Sequence, residues 1–211
     1  IVCDEAIEPA ALPPLPQGLV TARDDLTALL PRADLRPGQL LNQRVMTLPL
    51  VTGNLAMPGF TAPKLAWVRE HEPEVFAKTT RVLLPKDWLR FELTGDAVSD
   101  MSDAAGTLWL DVARRRWSAT MLDATGLSEA HMPRLVEGSE VSGRLKGDLA
   151  KRWGLPHRDG SAIPVAGGGG DNAASAVGMG CVAPGQGFVS LGTSGVIFVA
   201  DDRYAPNPFR A

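Results

Sequence analysis

An aspartate that follows a run of glycines has the setting in this sequence that best suits proton transfer. The stretch GGGGDNAAS, residues 167–175, places Asp171 after four glycines and before an alanine-rich segment. Glycines let a ligand approach the backbone closely. If the next segment is a helix, its unpaired N–H groups and partial positive charge keep an aspartate ionised, so that it can accept a proton from a hydroxyl. The alternative is that Asp171 only caps this helix.

A second stretch, SLGTSG at residues 190–195, could bind phosphate. It lies between two apolar runs, which predicts a β-hairpin with Gly192, Thr193 and Ser194 at its tip. The N–H and hydroxyl donors of such a tip can hold phosphate oxygens, although an ordinary tight turn has the same composition. The glycine run itself matches neither a Walker loop nor the dinucleotide fingerprint. Together, the two stretches predict an alcohol held near Asp171 and a phosphate held at the tip.

Predicted strands and helices alternate in the segments that must position these two stretches. AIPVA is a predicted strand that enters the glycine run, and DNAASAVGMG is a predicted helix that leaves it. Upstream, SATMLDATG is predicted as a helix that Ser118 caps and Gly126 ends. KDWLRFELTG is predicted as a helix with Trp88, Leu89 and Leu93 facing inward. This alternation predicts an α/β fold.

Charge and composition exclude several classes of protein. The net charge is -3 and no basic face stands out, so nucleic acid is not a predicted partner. No apolar run approaches the roughly 20 residues of a spanning helix, so no membrane association is predicted. Cys3 and Cys181 lie far apart and the three histidines are scattered, which predicts neither a disulfide framework nor a metal site. So few cysteines are typical of a reducing compartment, and a cytoplasmic location is expected.

Two aspartates in the middle of the chain have two interpretations each. Asp100 and Asp103 lie in the polar stretch SDMSDAAG, where they could line a cleft or cap a helix. The residue types alone leave both interpretations open. Lys86, which begins the segment KDWLRFELTG, could be a surface lysine.

Several segments together resemble the FGGY carbohydrate kinase family, and within it the xylulokinase branch. GFTAPKLAWVREH is similar to the family's N-terminal signature, with Lys64 and Trp67 at the characteristic spacing. LLPKDWLRFELTG and SDMSDAAGTLWLDVARRRWS are similar to the xylulokinase versions of those segments. VAGGGGDNAASAVGMG resembles the catalytic stretch, and SLGTSGV resembles the loop that contacts ATP phosphate. VTGNLAMPGFTAPK favours the xylulokinases over the glycerol kinases.

The resemblance implies a fold, a reaction and a set of site residues. The fold would be the ribonuclease-H-like, actin-type ATPase fold, with two domains around a cleft. The reaction would be ATP-dependent phosphorylation of D-xylulose, a small-molecule sugar, to D-xylulose 5-phosphate. Asp171 corresponds to the catalytic base and Asn172 would help to hold the sugar. Gly192, Thr193 and Ser194 would face the phosphates of ATP, and Mg²⁺ would bridge phosphate oxygens.

Both ends of the sequence depart from the family pattern. Residues 1–45 do not resemble it, and neither a D-x-G-T-S phosphate loop nor the family's sugar-binding Met-His pair is found. We therefore expect a proline-rich segment at 1–50, the remainder of the N-terminal sugar-kinase domain at 51–182 and the start of the C-terminal ATPase domain at 183–211. On this division the fold is incomplete at both ends, and the chain is an inactive or weakly active fragment. The alternatives are a kinase of another ketose or polyol, or a non-catalytic actin-like scaffold, and a homodimer is left open.

Overall fold

A computed structural model of the chain describes residues 2–3, 52–54, 56, 59–155, 162–192 and 195–206. Most of the predicted proline-rich segment lies outside the described residues, as do Thr193 and Ser194 of the predicted hairpin tip. Among the helices of the described ranges, none has the length and apolar character that a membrane span requires.

The helices begin and end where local sequence signals place them. The helices are α1 (Thr61–His71), α2 (Pro73–Ala77), α3 (Pro85–Thr94), α4 (Met101–Ala105), α5 (Ala119–Thr125), α6 (Gly147–Arg152) and α7 (Asp171–Gly178), with a 3₁₀ turn at Glu129–His131. Proline occupies the first turn of α2 and α3, where its missing N–H has no partner to lose. Ser118 caps α5, its Oγ accepting the N–H of Met121 at 3.4 Å, and Gly95 and Gly126 end α3 and α5 in the left-handed region, at φ 84° and 81°. The predicted cap and stop of α5 are thus confirmed.

The strands pair two by two within the described residues. The strands are β1 (Val2–Cys3), β2 (Thr79–Arg81), β3 (Val98–Asp100), β4 (Leu110–Asp111), β5 (Arg116–Trp117), β6 (Arg134–Val136), β7 (Val141–Arg144), β8 (Pro164–Ala166), β9 (Gly187–Leu191) and β10 (Gly195–Val199). The pairs are β1–β2, β3–β6, β4–β5, β7–β8 and β9–β10, and among these pairs β3–β6 is the parallel one.

The parallel pair β3–β6 is the part of the fold that delivers residues to one edge. Asp100 pairs with Val136 in the register, so both strands end side by side. Parallel strands require a crossover connection, which here contains α4, the β4–β5 hairpin and α5. The last residue of β3, Asp100, is also the N-cap of α4. The strand end therefore turns at once into a helix, as expected of an α/β unit.

The hydrophobic core lies where α1, α5 and the crossover meet. Trp109 is fully buried, and its indole Nε1 donates to Thr125 Oγ1 at 2.9 Å, so its polar atom is satisfied. Leu108 beside it is also fully buried and has φ 69°, a conformation that costs a non-glycine residue energy and persists because the surrounding packing fixes it. The cluster comprises Ala56, Ala62, Leu65, Val82, Leu108, Trp109, Met121, Leu122, Leu127 and Met132.

Helix α3 forms as predicted, but its buried face differs from the prediction. Trp88 and Leu89 are 51 % and 54 % exposed, and the predicted inward orientation of these two is wrong. The buried residues are Asp87 and Arg90, at 0 % and 6 % exposure, and they form an ion pair at 3.0 Å. Buried charges are tolerated when they are paired and hydrogen-bonded. Apolar spacing alone therefore assigned the wrong face.

The predicted hairpin is confirmed by β9 and β10, which pair from Gly187↔Val199 to Leu191↔Gly195. Phe188 and Phe198 stack across the pair, with ring centroids 5.2 Å apart. On the opposite face the apolar side chains are exposed. They are Val189, Leu191, Ile197 and Val199.

Candidate active site

Asp171 is the first residue of α7 and follows a glycine that caps the helix. Gly170 is in an extended conformation (φ -62°, ψ 156°) and has no side chain with which to cap α7. The carboxylate of Asp171 is exposed, and its Oδ1 accepts the N–H of Asn172 at 2.7 Å. Asn172 is also exposed. The two residues that the sequence analysis assigned to the base and the sugar thus stand side by side at a helix N-terminus.

The glycine run, residues 167–170, packs against the turn at residues 137–140. Gly167 donates its N–H to Glu140 O at 2.8 Å, and Gly168 donates to Gly138 O at 3.0 Å. A Cβ at Gly167 would collide with the carbonyl oxygen of Glu137, and one at Gly138 would lie 2.5 Å from Gly168 O. Glycine is thus required at position 167 because another backbone segment approaches closely. This contact explains the glycine there without the predicted approach of a ligand.

A chain of charged and polar side chains joins one end of the glycine run to the other, and we call it the loop clamp. At one end Arg90 Nη2 donates to Gly167 O, and at the other Gly170 N donates to Ser102 Oγ at 2.9 Å. Between them, Lys86 Nζ lies 2.6 Å from Asp87 Oδ1 and 2.6 Å from Asp100 Oδ1. The loop clamp consists of Lys86, Asp87, Arg90, Asp100 and Ser102.

The charges of the loop clamp support one another. Burial by itself disfavours the charged form of Asp100, but the bonds from Lys86, Ser102 and the N–H of Asp103 outweigh it and hold the pKa of this carboxyl below its ordinary range. Burial also lowers the pKa of Lys86, and its bonds to Asp100 and Asp87 outweigh that effect and raise it. The lysine and the carboxylate are therefore both charged at neutral pH.

Asp103 lies at the edge of the loop clamp, and the pKa of its carboxyl shifts in the direction opposite to that of Asp100. Burial raises the pKa of its carboxyl, and the negative charges of Asp100 and Asp87 raise it further, against the attraction of Lys86 Nζ at 3.3 Å. Its Cα would lie 3.3 Å from a Cβ at Gly170. Asp103 thus packs directly against the residue before Asp171.

The structure brings together only part of the predicted site. Gly192 is exposed at the end of β9, while Thr193 and Ser194 lie outside the described residues. Within the described part of the chain, no hydrogen bond or ion pair joins Asp171 or Asn172 to Gly192. Among those residues there is likewise no group of three His, Cys, Asp or Glu side chains placed to hold a metal ion.

Sequence reasoning missed the loop clamp. Asp100 caps α4, one of its two predicted roles, and it also binds Lys86, which is not a simple surface lysine. Asp87, Arg90 and Ser102 were not singled out. The available signal was the spacing of an aspartate and an arginine at i and i+3 of a predicted helix, which is common on solvated faces as well.

Comparison with known proteins identifies the family. Residues 40–178, more than half of the chain, match the model of the FGGY family of carbohydrate kinases, N-terminal domain. The chain belongs to the FGGY family of carbohydrate kinases. This FGGY chain is 55 % identical over 169 residues to xylulose kinase from Escherichia coli (strain K12) and 54 % identical over 170 residues to xylulose kinase from Klebsiella pneumoniae. The predicted similarity to xylulokinases is thereby confirmed.

Solved structures show the same fold for this FGGY chain. The crystal structure of a xyloylose kinase from Brucella ovis matches with a TM-score of 0.76 at 53 % identity, covering 83 % of this chain and 36 % of the other. Xylulose kinase from Rhodospirillum rubrum matches with a TM-score of 0.73 at 27 % identity over the same shares of both chains. These likenesses confirm the predicted actin-type ATPase fold.

The alignments with the curated relatives cover most of this chain but only about a third of each relative. The matches to the Escherichia coli and Klebsiella pneumoniae enzymes cover 80 % and 81 % of this chain but 34 % of each relative. The FGGY chain thus spans about a third of the length of the curated relatives it matches.

Proposed function

We propose that this chain supplies the sugar-phosphorylating centre of a D-xylulose kinase, with Asp171 as its general base. The observation that carries the proposal is the exposed carboxylate at the first residue of α7, on a glycine run whose two ends are held by the loop clamp. The high identity to two enzymes named xylulose kinase supports the choice of sugar.

The carboxylate of Asp171 is suited to take one proton. Its Oδ1 already accepts the N–H of Asn172, which leaves Oδ2 to face a substrate hydroxyl. In the proposed step the O–H bond of the terminal sugar hydroxyl breaks and the proton moves to Asp171. The oxygen electron pair forms the new bond to the γ-phosphorus of ATP, and the bond from that phosphorus to the oxygen that leaves with ADP breaks. The exposed carboxamide of Asn172 can both donate to and accept from neighbouring sugar hydroxyls.

The nucleotide is assigned to the tip of the β9–β10 hairpin. Gly192, Thr193 and Ser194 are proposed to hold the phosphates, since backbone N–H groups and hydroxyls are donors that suit phosphate oxygens. When bound, ATP supplies the phosphoryl group and leaves as ADP, and Mg²⁺ neutralises charge on the phosphate oxygens. The residues of the tip would thus bind and orient the phosphates of ATP, and Asp171 would accept the proton of the sugar hydroxyl.

A chimera tests the role of Asp171. Residues 40–206 of this chain replace the matching segment of the Escherichia coli xylulose kinase, and ADP release is measured with D-xylulose and Mg-ATP. We expect Asp171→Asn to lower kcat by about 10²–10⁴-fold, the usual contribution of a general base. The 211-residue chain is assayed alongside, and we expect it to be inactive or weakly active by itself.

The matched control is Asp148→Asn, which changes another exposed aspartate in the first turn of a helix. It should leave kcat unchanged. Equal loss of activity in both variants, or full activity of Asp171→Asn, would count against Asp171 as the base.

A panel of ketoses and polyols, assayed with the same chimera, tests the identity of the sugar. Faster turnover of another sugar would replace D-xylulose in the proposal, and an inactive chimera that folds would favour the scaffold alternative.

A further inference from the structure

We propose that Ser102 is a positioning residue for Asp171, acting through the backbone of Gly170. The proposal rests on the proposed function for its kinetic consequence, but its geometric content is independent of the reaction. Ser102 belongs to α4 and Asp171 to α7, so the contact joins two elements that are far apart in sequence.

The hydroxyl of Ser102 has one defined hydrogen-bond arrangement. Its proton is donated to Asp100 Oδ2, and the same carboxylate oxygen accepts the N–H of Ser102 at 2.9 Å. A serine hydroxyl has a single proton and two lone pairs. Since the proton is used on Asp100, Ser102 Oγ can only accept from Gly170 N, at 2.9 Å.

Asp100 is held in the form that this arrangement requires. Its other oxygen, Oδ1, lies 2.6 Å from Lys86 Nζ, and the side chain is almost fully buried. Because an ionised carboxylate only accepts hydrogen bonds, it cannot compete with Gly170 for the lone pairs of Ser102. Lys86 thus favours the ionised form of Asp100, and the hydrogen bonds run from Gly170 to Ser102 and from Ser102 to Asp100.

The N–H of Gly170 needs a partner from another element. Gly170 is the N-cap of α7, and the side chain at the third helical position, which can accept the N–H of an N-cap residue, is here Ala173 and has no acceptor. Asp171 follows directly, so the backbone orientation at Gly170 sets the direction of its Cα–Cβ bond. Loss of the Ser102 hydroxyl would leave the N–H of Gly170 without this acceptor, while Arg90 would still bind Gly167 at the other end of the glycine run.

The first test measures geometry in the 211-residue chain. Hydrogen exchange of the Gly170 amide is followed by NMR in the natural chain and in Ser102→Ala, Ser102→Thr and Ser175→Ala. We expect Ser102→Ala to speed exchange at Gly170 at least tenfold and Ser102→Thr, which keeps the hydroxyl, to restore protection to within about threefold. Ser175→Ala, an exposed serine of α7 itself, should leave exchange unchanged. Unchanged protection in Ser102→Ala would overturn the proposal.

The second test separates positioning from substrate binding. In the chimera described above, Ser102→Ala should lower kcat at least tenfold with the KM for D-xylulose changed less than threefold, and Ser102→Thr should recover most of kcat. A raised KM with kcat intact would assign Ser102 to substrate contact and overturn the proposal.

The two tests distinguish failure of this inference from failure of the proposed function. If the chimera with the natural serine is inactive, the result counts against the proposed function, and exchange at Gly170 decides the positioning role. If Ser102→Ala fails to fold, Ser102→Cys replaces it, since a thiol has similar size but is a weak acceptor. Protection of Gly170 equal to that of the natural chain in Ser102→Cys would then overturn the inference.

Discussion

Asp100 and Asp103 share one lysine, which lowers the pKa of both carboxyl groups, and yet the net shifts of the two pKa values are opposite. Asp100 is fully buried and receives hydrogen bonds from Lys86, Ser102 and the N–H of Asp103, which together hold its pKa below the ordinary 3.8. Asp103 is partly exposed, and burial with the nearby negative charges of Asp100 and Asp87 raises its pKa above 3.8. At Asp100 the hydrogen bonds outweigh the effect of burial on the pKa, whereas at Asp103 burial and the neighbouring negative charges outweigh the attraction of Lys86.

This difference predicts opposite results for two equivalent substitutions. Asp100→Asn should lower the free energy of unfolding at pH 7 by about 2 kcal/mol, because it leaves a largely buried lysine with fewer anionic partners. Asp103→Asn should leave stability unchanged or slightly raised, because its ionised form is disfavoured in the fold. Urea unfolding at pH 7 measures both.

The pH dependence provides the control for this prediction. Stability from Asp100, whose folded pKa is lowered, is present above 3.8 and is lost as pH falls through the folded value. For Asp103, whose folded pKa is raised, stability is highest below 3.8 and falls as pH rises through the folded value. The advantage of Asp103→Asn over the natural chain should therefore shrink on acidification from pH 7 to pH 4. An advantage that grows would contradict the assignment.

At the scale of elements, the glycine run and the turn at residues 137–140 form a close backbone contact. Gly167 and Gly168 each donate an N–H to this turn, and Gly168 adopts φ 79°. The run is thus held by the loop clamp on one side and by a second backbone segment on the other. Side chains are excluded at Gly167 by this packing, independently of any ligand.

Two alanine substitutions should separate this contact from the general cost of losing glycine. Gly167→Ala should destabilise the chain by about 1–3 kcal/mol, because its Cβ would overlap the carbonyl oxygen of Glu137, which is backbone and cannot rotate away. Gly178→Ala, at the last residue of α7 with open space around it, should be neutral or stabilising by about 0.5–1 kcal/mol. Thermal unfolding of both variants tests this, and equal effects would show that the contact is not tight.

Local signals predicted the elements better than the faces they bury. Ser118 and Gly126 fixed the ends of α5 because capping depends on neighbouring residues alone. The prediction of which face of α3 is buried was wrong, because Arg90 binds the carbonyls of Val98 and Gly167 and no local sequence pattern reveals these partners. Asp171 at the start of α7 could be predicted, whereas the residues that hold its loop depend on pairings across the fold.

At the scale of the whole molecule, apolar side chains are distributed unevenly. Around α1 and α5 they form a closed core, while one face of the β9–β10 hairpin exposes Leu191 and Ile197 at 85 % and 79 %. Adjacent exposed apolar residues on a strand pair are a common cause of self-association.

We expect the hairpin face to dominate the surface hydrophobicity of this chain. The double variant Leu191→Lys, Ile197→Lys should lower the fluorescence of bound ANS and reduce concentration-dependent association in sedimentation velocity. Leu89→Lys, which changes an exposed leucine of α3 to the same residue, should have a smaller effect on both. Equal effects of the two variants would mean that the exposed apolar surface is not concentrated on the hairpin.

The loop clamp also has a consequence for the order of events during protein synthesis. Its two terminal bonds join residues separated by 77 and 68 positions. At roughly 5–20 residues per second, Arg90 is made about 4–15 seconds before Gly167. During that interval Arg90 has Asp87 and the carbonyl of Val98 as partners but lacks the carbonyl of Gly167. The segment that carries the proposed base is therefore also the one that completes the buried contacts of α3.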